Sequence, residues 1–208
     1  MSTNFPFKNL AEEVQFGYAS EASADLSPAL FSPADRLKWE QRETVHRKHE
    51  FLLSRSALAT ALHPHPLSSV HYKGKQPNHE AGHISLSHAK KVAIAAYSPT
   101  LELGVDVEEV RPQIGRIAHK FIRPDEEKYL NDLGTTHAQQ LLWGLKESLF
   151  KLFGSGNVDF KKHLHITSLH TGGNGEHWSG TAWIYATSAA RPEPTQCMVQ
   201  GYFDGSHY

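Results

Sequence analysis

The sequence contains little cysteine, no long apolar run and almost no net charge, and each shortage argues against a class of protein. Its one cysteine, Cys197, excludes an intrachain disulfide. No apolar run could span a bilayer, and residues 1–20 lack the pattern of a signal peptide, which indicates a cytoplasmic protein without a membrane partner. A formal net charge of -1 argues against nucleic acid as a partner.

The sequence also lacks the motifs of metal sites that are built on histidine or cysteine. The 15 histidines form neither an HExxH motif nor pairs with Cys197 at zinc-ligand spacing. We interpret them as surface and loop residues. With 208 residues, 39% of them hydrophobic and 21% charged, the chain is predicted to be globular, with one large domain or two small ones.

Apolar periodicity and capping residues predict the helices. Ser32 and Pro33 have the residue types of an N-cap and a first helical position. The predicted helices cover 35–62 with one break, 114–121, a segment that starts at Pro124, and 136–153. The last of these is the clearest because its leucines form a seam along one face, and Gly154 is expected to stop it.

Alternation of apolar and polar residues predicts strands. They cover 83–87, 91–97, 103–108, 164–169, 180–186 and 197–203, while 1–30 and 74–82 are predicted to be irregular and 172–175 to form a turn. Both halves of the chain, 1–100 and 101–208, therefore run from helix-rich to strand-rich. The predicted fold class is α+β with two halves.

Asp106 and Glu108 are the first candidates for chemistry. They are two residues apart on a predicted strand, so both carboxylates would point to one face. Like charges side by side repel one another, and a bound cation would remove that conflict. An oxygen-only ligand set suits Mg²⁺. The alternative is an exposed edge strand with a solvated acidic face.

The predicted helix over 136–153 supplies a second group of polar residues. Trp143, Glu147 and Lys151 follow one another at a spacing of four residues, and Lys146 flanks them. Glu147 could be a metal ligand or a general base, and the lysines could hold phosphate oxygens. The alternative is an ordinary Glu-Lys pair on a solvated helix face.

Three weaker candidates could bind phosphate. Ser87 and His88 end a predicted strand, and Lys75 lies in a loop between Gly74 and Gln76. A polar strand end and an ordinary turn lysine are the alternatives for them. The helix before this loop is basic, and a solvated face is the alternative for its cations: Arg36, Lys38, Arg42, Arg47, Lys48 and Arg55.

Taken together and in this order, these segments resemble the 4′-phosphopantetheinyl transferase superfamily. Gly104–Glu108 is similar to its G-[IV]-D-[IV]-E motif, and Trp143–Lys151 to its W-x-x-K-E-[AS]-x-x-K motif. The weaker matches are Ser87-His88, a G-K-P motif at Gly74–Pro77 with Gln76 inserted, and His46-Arg47 before an amphipathic helix. The resemblance covers roughly residues 32–155.

The resemblance implies a fold and an activity. Single-chain members of this size, the type that activates peptide synthetases, are pseudodimers of two similar α+β halves with the active site in the cleft between them. Such a protein transfers the 4′-phosphopantetheine arm of coenzyme A to a serine of an apo acyl or peptidyl carrier protein and releases 3′,5′-ADP. A cleft made by one chain lets it act as a monomer.

The resemblance also implies residue roles. Asp106, Glu108 and Glu147 would hold Mg²⁺, and Glu147 or a water on the metal would take the proton of the acceptor serine. Lys151 would neutralise the pyrophosphate. The implied contacts with coenzyme A are Arg47, Lys75, Ser87, His88, Lys146 and Lys151.

Two other functions stay open from the sequence. One is a different Mg²⁺-dependent phosphoryl transferase, and the other is a non-catalytic relative that binds a carrier protein or coenzyme A. Ser85 occupies a position where the family usually has Asn, which concerns coenzyme A affinity more than chemistry. The class of carrier protein is not specified: Phe121, Ile122 and Leu133 are candidate docking residues, with a role in the core as the alternative.

Overall fold

The described residues form two compact units. A computed structural model describes residues 13–22, 27–73, 76–154, 156–172, 175–189 and 191–208. Unit 1 extends to Val107 and unit 2 starts at Glu108, seven residues beyond the predicted division at 100/101. Among the described helices, none combines the length and apolarity that crossing a membrane requires.

Helix and strand are both well represented. The helices are α1 (Pro33–Glu40), α2 (Val45–Leu62), α3 (Lys128–Leu133), α4 (Thr135–Phe153) and α5 (Phe160–His163). The strands are β1 (Gln15–Ser20), β2 (His71–Lys73), β3 (Gln76–Asn78), β4 (His83–His88), β5 (Val92–Ser98), β6 (Leu164–Thr171), β7 (His177–Ile184) and β8 (Thr195–Tyr202). The predicted α+β class is confirmed.

In unit 1 the capping residues set where the helices begin. The Ser32 hydroxyl accepts the Asp35 N–H at 3.0 Å, as predicted from the sequence. The helical pattern over 35–62 is interrupted once, and Thr44 caps the second piece by accepting the Arg47 N–H at 3.2 Å. Most of α2 after its first two turns is buried.

The sheet of unit 1 is antiparallel with the order β1-β5-β4, and β2 and β3 form a separate pair. Every residue of the central strand β5 is buried. α2 approaches β1 so closely that a Cβ on Gly17 would lie 1.9 Å from the Ala57 carbonyl oxygen. Glycine is therefore needed where this helix crosses the strand.

One cation of the basic helix has a role in the core of unit 1. Arg55 is 3% exposed and pairs with the fully buried Asp35 at 2.8 Å. The Tyr72 hydroxyl donates to the same carboxylate at 2.5 Å. For Arg55 the solvated-face alternative is therefore wrong, since a buried guanidinium requires a partner.

In unit 2 α4 accompanies an antiparallel sheet with the order β6-β7-β8. Leu142, Leu145 and Leu149 of the predicted seam are buried in the core that the helix shares with the sheet. Gly154 ends the helix at φ 101°, a conformation that favours glycine. Phe121 and Ile122, which were candidate docking residues, belong to this core at 1% and 5% exposure, so the alternative of a core role is confirmed for both.

The predicted strand over 103–108 is wrong. Residues 101–108 have no regular secondary structure, and Glu109 forms only an isolated bridge with His207. The alternation of Val105, Asp106, Val107 and Glu108 has the period of a strand, but among the residues that the structure describes no continuous partner strand pairs with it. Alternation of apolar and polar residues indicates that successive side chains meet different environments, but it does not show that the backbone is hydrogen-bonded to a neighbouring strand.

The other differences are short elements. β1 lies within the predicted irregular stretch 1–30, and β3 within the predicted loop 74–82. The predicted helix over 114–121 is two 3₁₀ turns, and another 3₁₀ turn at Pro124–Glu126 precedes α3. Strands of this kind are stabilised by partners far along the chain, so local pattern is a weak guide to them. The predicted turn at 172–175 lies partly outside the described residues.

Candidate active site

Asp106 is held by a serine of β4. The Ser87 hydroxyl donates to Asp106 Oδ1 at 2.8 Å. Two residues earlier on the same strand, the Ser85 hydroxyl accepts the Val105 N–H at 3.0 Å. Both serines are 7% exposed and alternate with Ile84 and Leu86, which pack against the core of unit 1, so the opposite face of β4 orients the Val105-Asp106 segment.

Glu108 is held by groups of unit 2. The Trp143 Nε1 of α4 donates to Glu108 Oε1 at 3.3 Å. The Arg111 guanidinium lies 2.6 Å from Glu108 Oε2 and balances its charge. The backbone N–H of Arg111 in turn donates to the buried Gln140 side chain of α4 at 2.9 Å, which ties the chain after Glu108 to the same helix.

Trp143 is a large aromatic residue on the polar side of α4, and its contacts explain this position. Its ring stacks on Phe160 at a centroid distance of 5.4 Å and meets Phe121 edge-on at 5.2 Å. Its indole N–H is used for Glu108. Since Glu147 follows Trp143 by one turn on the same helix face, Trp143 holds the Glu108 carboxylate beside the stretch of α4 that carries Glu147. Lys151, one turn further, is half-buried like Glu147.

Lys146 has a different environment from the one expected for a residue that lines a coenzyme A site. Its ammonium group is fully buried and donates to the Phe121 carbonyl at 2.5 Å, Glu126 Oε2 at 2.7 Å and the Phe160 carbonyl at 3.2 Å. Burial lowers the pKa of Lys146, and the neighbouring Glu126 carboxylate opposes that shift. The three N–H groups of the Lys146 ammonium thus each have an oxygen acceptor within the protein. We therefore do not include Lys146 among the proposed coenzyme A contacts.

The phosphate-binding candidates of unit 1 lie near the start of α2. His88, half-exposed at the end of β4, has its Nε2 3.7 Å from Glu50 Oε2 on α2. His46, one turn earlier, lies 3.1 Å from Glu50 Oε1, and the exposed Arg47 is next to it in the chain. The structure thus places His88 beside the first turns of the helix that carries Arg47. Lys75 lies outside the described residues.

The donor set fits a hard divalent cation by its chemistry. Asp106, Glu108 and Glu147 offer only carboxylate oxygens, the ligands that Mg²⁺ prefers. Within the described part of the chain, no three His, Cys, Asp or Glu side chains are close enough together to form a metal site. The three-carboxylate site therefore stays a prediction.

Two residues that hold Glu108 were not assigned that role from the sequence. Trp143 was identified as part of the helical stripe, but its partner is 35 residues away and no local spacing reveals it. Arg111 was not singled out. Its separation of three residues from Glu108 is the signal that could have identified it, as such pairs are close in turns and helices.

Comparison with known proteins agrees with the resemblance seen in the motifs. Residues 102–193 match the family model of the 4′-phosphopantetheinyl transferase superfamily. A segment of 78 residues is 31% identical to the 4′-phosphopantetheinyl transferase HetI of Nostoc sp.. This match covers 35% of the chain and 33% of HetI, so the chain spans about a third of the length of that relative.

Proposed function

We propose that the chain is a member of the 4′-phosphopantetheinyl transferase superfamily, whose family model matches residues 102–193, and that it transfers phosphopantetheine from coenzyme A to a carrier protein. The acceptor is a serine of an apo acyl or peptidyl carrier protein. The serine Oγ bonds to the β-phosphorus of coenzyme A, the bond from that phosphorus to the bridging oxygen breaks, and 3′,5′-ADP leaves.

One observation carries the proposal. The hydrogen bond from Trp143 Nε1 to Glu108 Oε1 joins the two motifs that the family shares, which stand far apart in the chain. It fixes the Glu108 carboxylate against α4 one turn before Glu147. A solvated acidic strand or an ordinary surface Glu-Lys pair would not need this link between the two segments.

The carboxylates have separate tasks in this reaction. Asp106, Glu108 and Glu147 would hold Mg²⁺, which supplies positive charge to the pyrophosphate and aligns it for in-line displacement. Ser87 keeps Asp106 oriented and Trp143 keeps Glu108 oriented. The proton on the acceptor serine passes to the Glu147 carboxylate, directly or through a water.

The cations of the site balance the phosphates of coenzyme A. Lys151 lies one turn beyond Glu147 on α4 and would neutralise the pyrophosphate oxygens. His88 and Arg47, both associated with the first turns of α2, would bind the nucleotide phosphate. Lys75 keeps the same predicted role from the sequence.

The two-unit architecture supports the single-chain type of transferase. Each unit combines one long helix with a three-stranded antiparallel sheet. The pseudodimer, its cleft as the place for coenzyme A, the action of the chain as a monomer and its cytoplasmic location belong to this proposal. The class of carrier is left to the experiment.

Intact-protein mass spectrometry tests the activity. The chain is incubated with coenzyme A, Mg²⁺ and a panel of apo carrier proteins, with an EDTA control. We expect a Mg²⁺-dependent mass gain of one phosphopantetheine on at least one carrier. Asp106→Ala and Glu147→Ala should abolish this gain without loss of the folded state, because each removes a metal ligand.

Glu109→Gln is the matched control, since it removes a carboxylate charge from the same segment without touching a proposed ligand. It should retain transfer. Near-normal turnover by Asp106→Ala or Glu147→Ala would refute the three-carboxylate site. Coenzyme A binding without transfer would favour the non-catalytic relative, and transfer of a different phosphoryl group would favour another Mg²⁺-dependent enzyme.

A further inference from the structure

Residues 204–208 hold the backbone on both sides of Glu108. The Glu108 N–H donates to the Tyr208 carbonyl and the Tyr208 N–H donates to the Glu108 carbonyl, both at 2.9 Å. The Val110 N–H donates to the Ser206 carbonyl at 3.2 Å. These residues lie beyond the matched family region, which ends at residue 193, so the match assigns them no role.

Tyr208 is itself anchored by its ring. The ring stacks on Phe203 at a centroid distance of 4.7 Å and lies 5.8 Å from the Trp178 ring. Trp178 is 6% exposed and belongs to the core of unit 2. The Tyr208 hydroxyl meets His137 Nδ1 on α4, and burial raises the pKa of Tyr208 to about 12. Core packing thus fixes the residue whose backbone pairs with Glu108.

A closed turn connects this anchor to β8. The Asp204 carboxylate accepts the Ser206 and His207 N–H groups, each at 2.7 Å. Burial acts to raise the pKa of Asp204, but these hydrogen bonds and the His207 ring outweigh it and lower the pKa below its usual value. The turn therefore presents Ser206 and Tyr208 to the Glu108 segment in one fixed arrangement.

We propose that Tyr208 is a positioning residue for Glu108 in the metal site, an inference that rests on the proposed function. The Trp143 and Arg111 contacts orient the carboxylate, but they can do so only if the Glu108 backbone stays in place. Two backbone hydrogen bonds to Tyr208 supply that constraint. Loss of a group that orients a metal ligand typically weakens metal binding by about 10–100-fold.

The test compares Tyr208→Ala with Tyr208→Phe and Tyr202→Ala in the full chain. Tyr208→Ala removes the stacked ring, whereas Tyr208→Phe keeps it and loses only the hydroxyl. Tyr202 provides the control because it is another tyrosine near Tyr208 whose ring lies against His177 on the neighbouring strand, at a centroid distance of 4.7 Å. Each variant is first checked for cooperative thermal unfolding.

Two measurements follow. Hydrogen exchange of a peptide covering residues 106–110 reports the hold on the backbone without any need for activity. Binding of Mn²⁺ in the presence of coenzyme A, followed by electron paramagnetic resonance, reports the metal site. We expect Tyr208→Ala to speed exchange at the Glu108 amide and to weaken Mn²⁺ binding by about tenfold or more. The KM for coenzyme A should stay within about threefold, because a positioning role acts on a metal ligand and not on nucleotide contacts.

Tyr208→Phe should differ from wild type by less than about fivefold, as one hydroxyl contact is lost. Exchange and Mn²⁺ binding in Tyr208→Ala equal to those in Tyr202→Ala would overturn the inference. Equal losses of Mn²⁺ and coenzyme A affinity would also overturn it, since they would indicate general loosening. If the wild-type chain transfers no phosphopantetheine, the proposed function fails, and the exchange comparison alone then decides whether Tyr208 holds Glu108.

Discussion

Two buried serines on β4 each use one hydroxyl to hold the segment that carries Asp106. Ser85 accepts from the Val105 N–H and Ser87 donates to the Asp106 carboxylate. Ser85 stands where the family usually has Asn, and it performs a backbone-anchoring task that needs only one acceptor oxygen. The departure in the motif therefore has a structural explanation within unit 1.

The two possible roles of Ser87 lead to different kinetics. If Ser87 orients Asp106, Ser87→Ala should raise the Mg²⁺ concentration for half-maximal transfer by about 10–100-fold. The KM for coenzyme A should then change little. Titration of transfer against Mg²⁺ and against coenzyme A separates the effects. A selective rise in the KM for coenzyme A would instead support the nucleotide-binding role predicted from the sequence.

Helix α4 is tied to the rest of unit 2 by a buried ion pair. Lys146 and Glu126 are fully buried, with Nζ and Oε2 2.7 Å apart. Glu126 also accepts the Arg123 N–H at 2.9 Å and the Ile166 N–H at 2.8 Å. One carboxylate thus connects the turn before α3, strand β6 and the helix that carries Glu147.

Breaking this pair should destabilise the protein strongly. Glu126→Ala leaves a buried ammonium without its counter-charge, which typically costs about 3–5 kcal/mol of unfolding free energy. Asp125→Ala is the matched control: its side chain is 52% exposed, and surface pairs such as those it forms with Arg123 and His165 contribute about 0–1 kcal/mol each. Urea unfolding of both variants measures the difference.

Lys146→Met extends the same test to the other partner. We expect a loss of stability close to that of Glu126→Ala, with unchanged coenzyme A affinity in the fraction that remains folded. A stable Lys146→Met variant that binds coenzyme A weakly would restore the ligand role that the sequence motif suggests for Lys146.

At the scale of the whole molecule, each unit has its own buried core. The core of unit 1 includes Phe51, Leu58 and Tyr97, and that of unit 2 includes Leu142, Ile166 and Trp178. The two cores consist of separate sets of residues. A substitution that destabilises one core should therefore lower the local stability of the unit that contains it before it affects the other unit.

A pair of glycine variants tests this separation. A Cβ on Gly17 would lie 1.9 Å from the Ala57 carbonyl oxygen in unit 1, and one on Gly180 would lie 1.9 Å from the Ser168 carbonyl oxygen in unit 2. Each substitution to Ala forces backbone apart and should cost about 1–3 kcal/mol or more. Hydrogen exchange should show lost protection in α2 and β5 for Gly17→Ala, and in β6–β8 for Gly180→Ala.

Each variant is the control for the other. Equal loss of protection in both units from either substitution would show that the two cores unfold as one cooperative structure. Unchanged exchange in both would show that the backbone can move aside at these crossings.

Local physics determined much of this protein from the sequence alone. The seam of α4, its stop at Gly154, the cap at Ser32 and the alternation in β4 all depend on residues within one or two turns of each other. Short spacings within each motif also identified Asp106, Glu108, Glu147 and Lys151 as candidates, and the resemblance to a known family supplied their predicted roles.

The tertiary structure alone decided the distant partners of the polar side chains in the candidate site. Ser87 holds Asp106, Trp143 and Tyr208 hold Glu108, and Lys146 lies buried against Glu126 instead of facing a ligand. A hydrogen bond depends on where two groups meet in space, and these partners stand at least 19 residues apart in the chain. Helical or strand periodicity specifies the face on which a side chain lies, but it does not specify which distant group that face will meet.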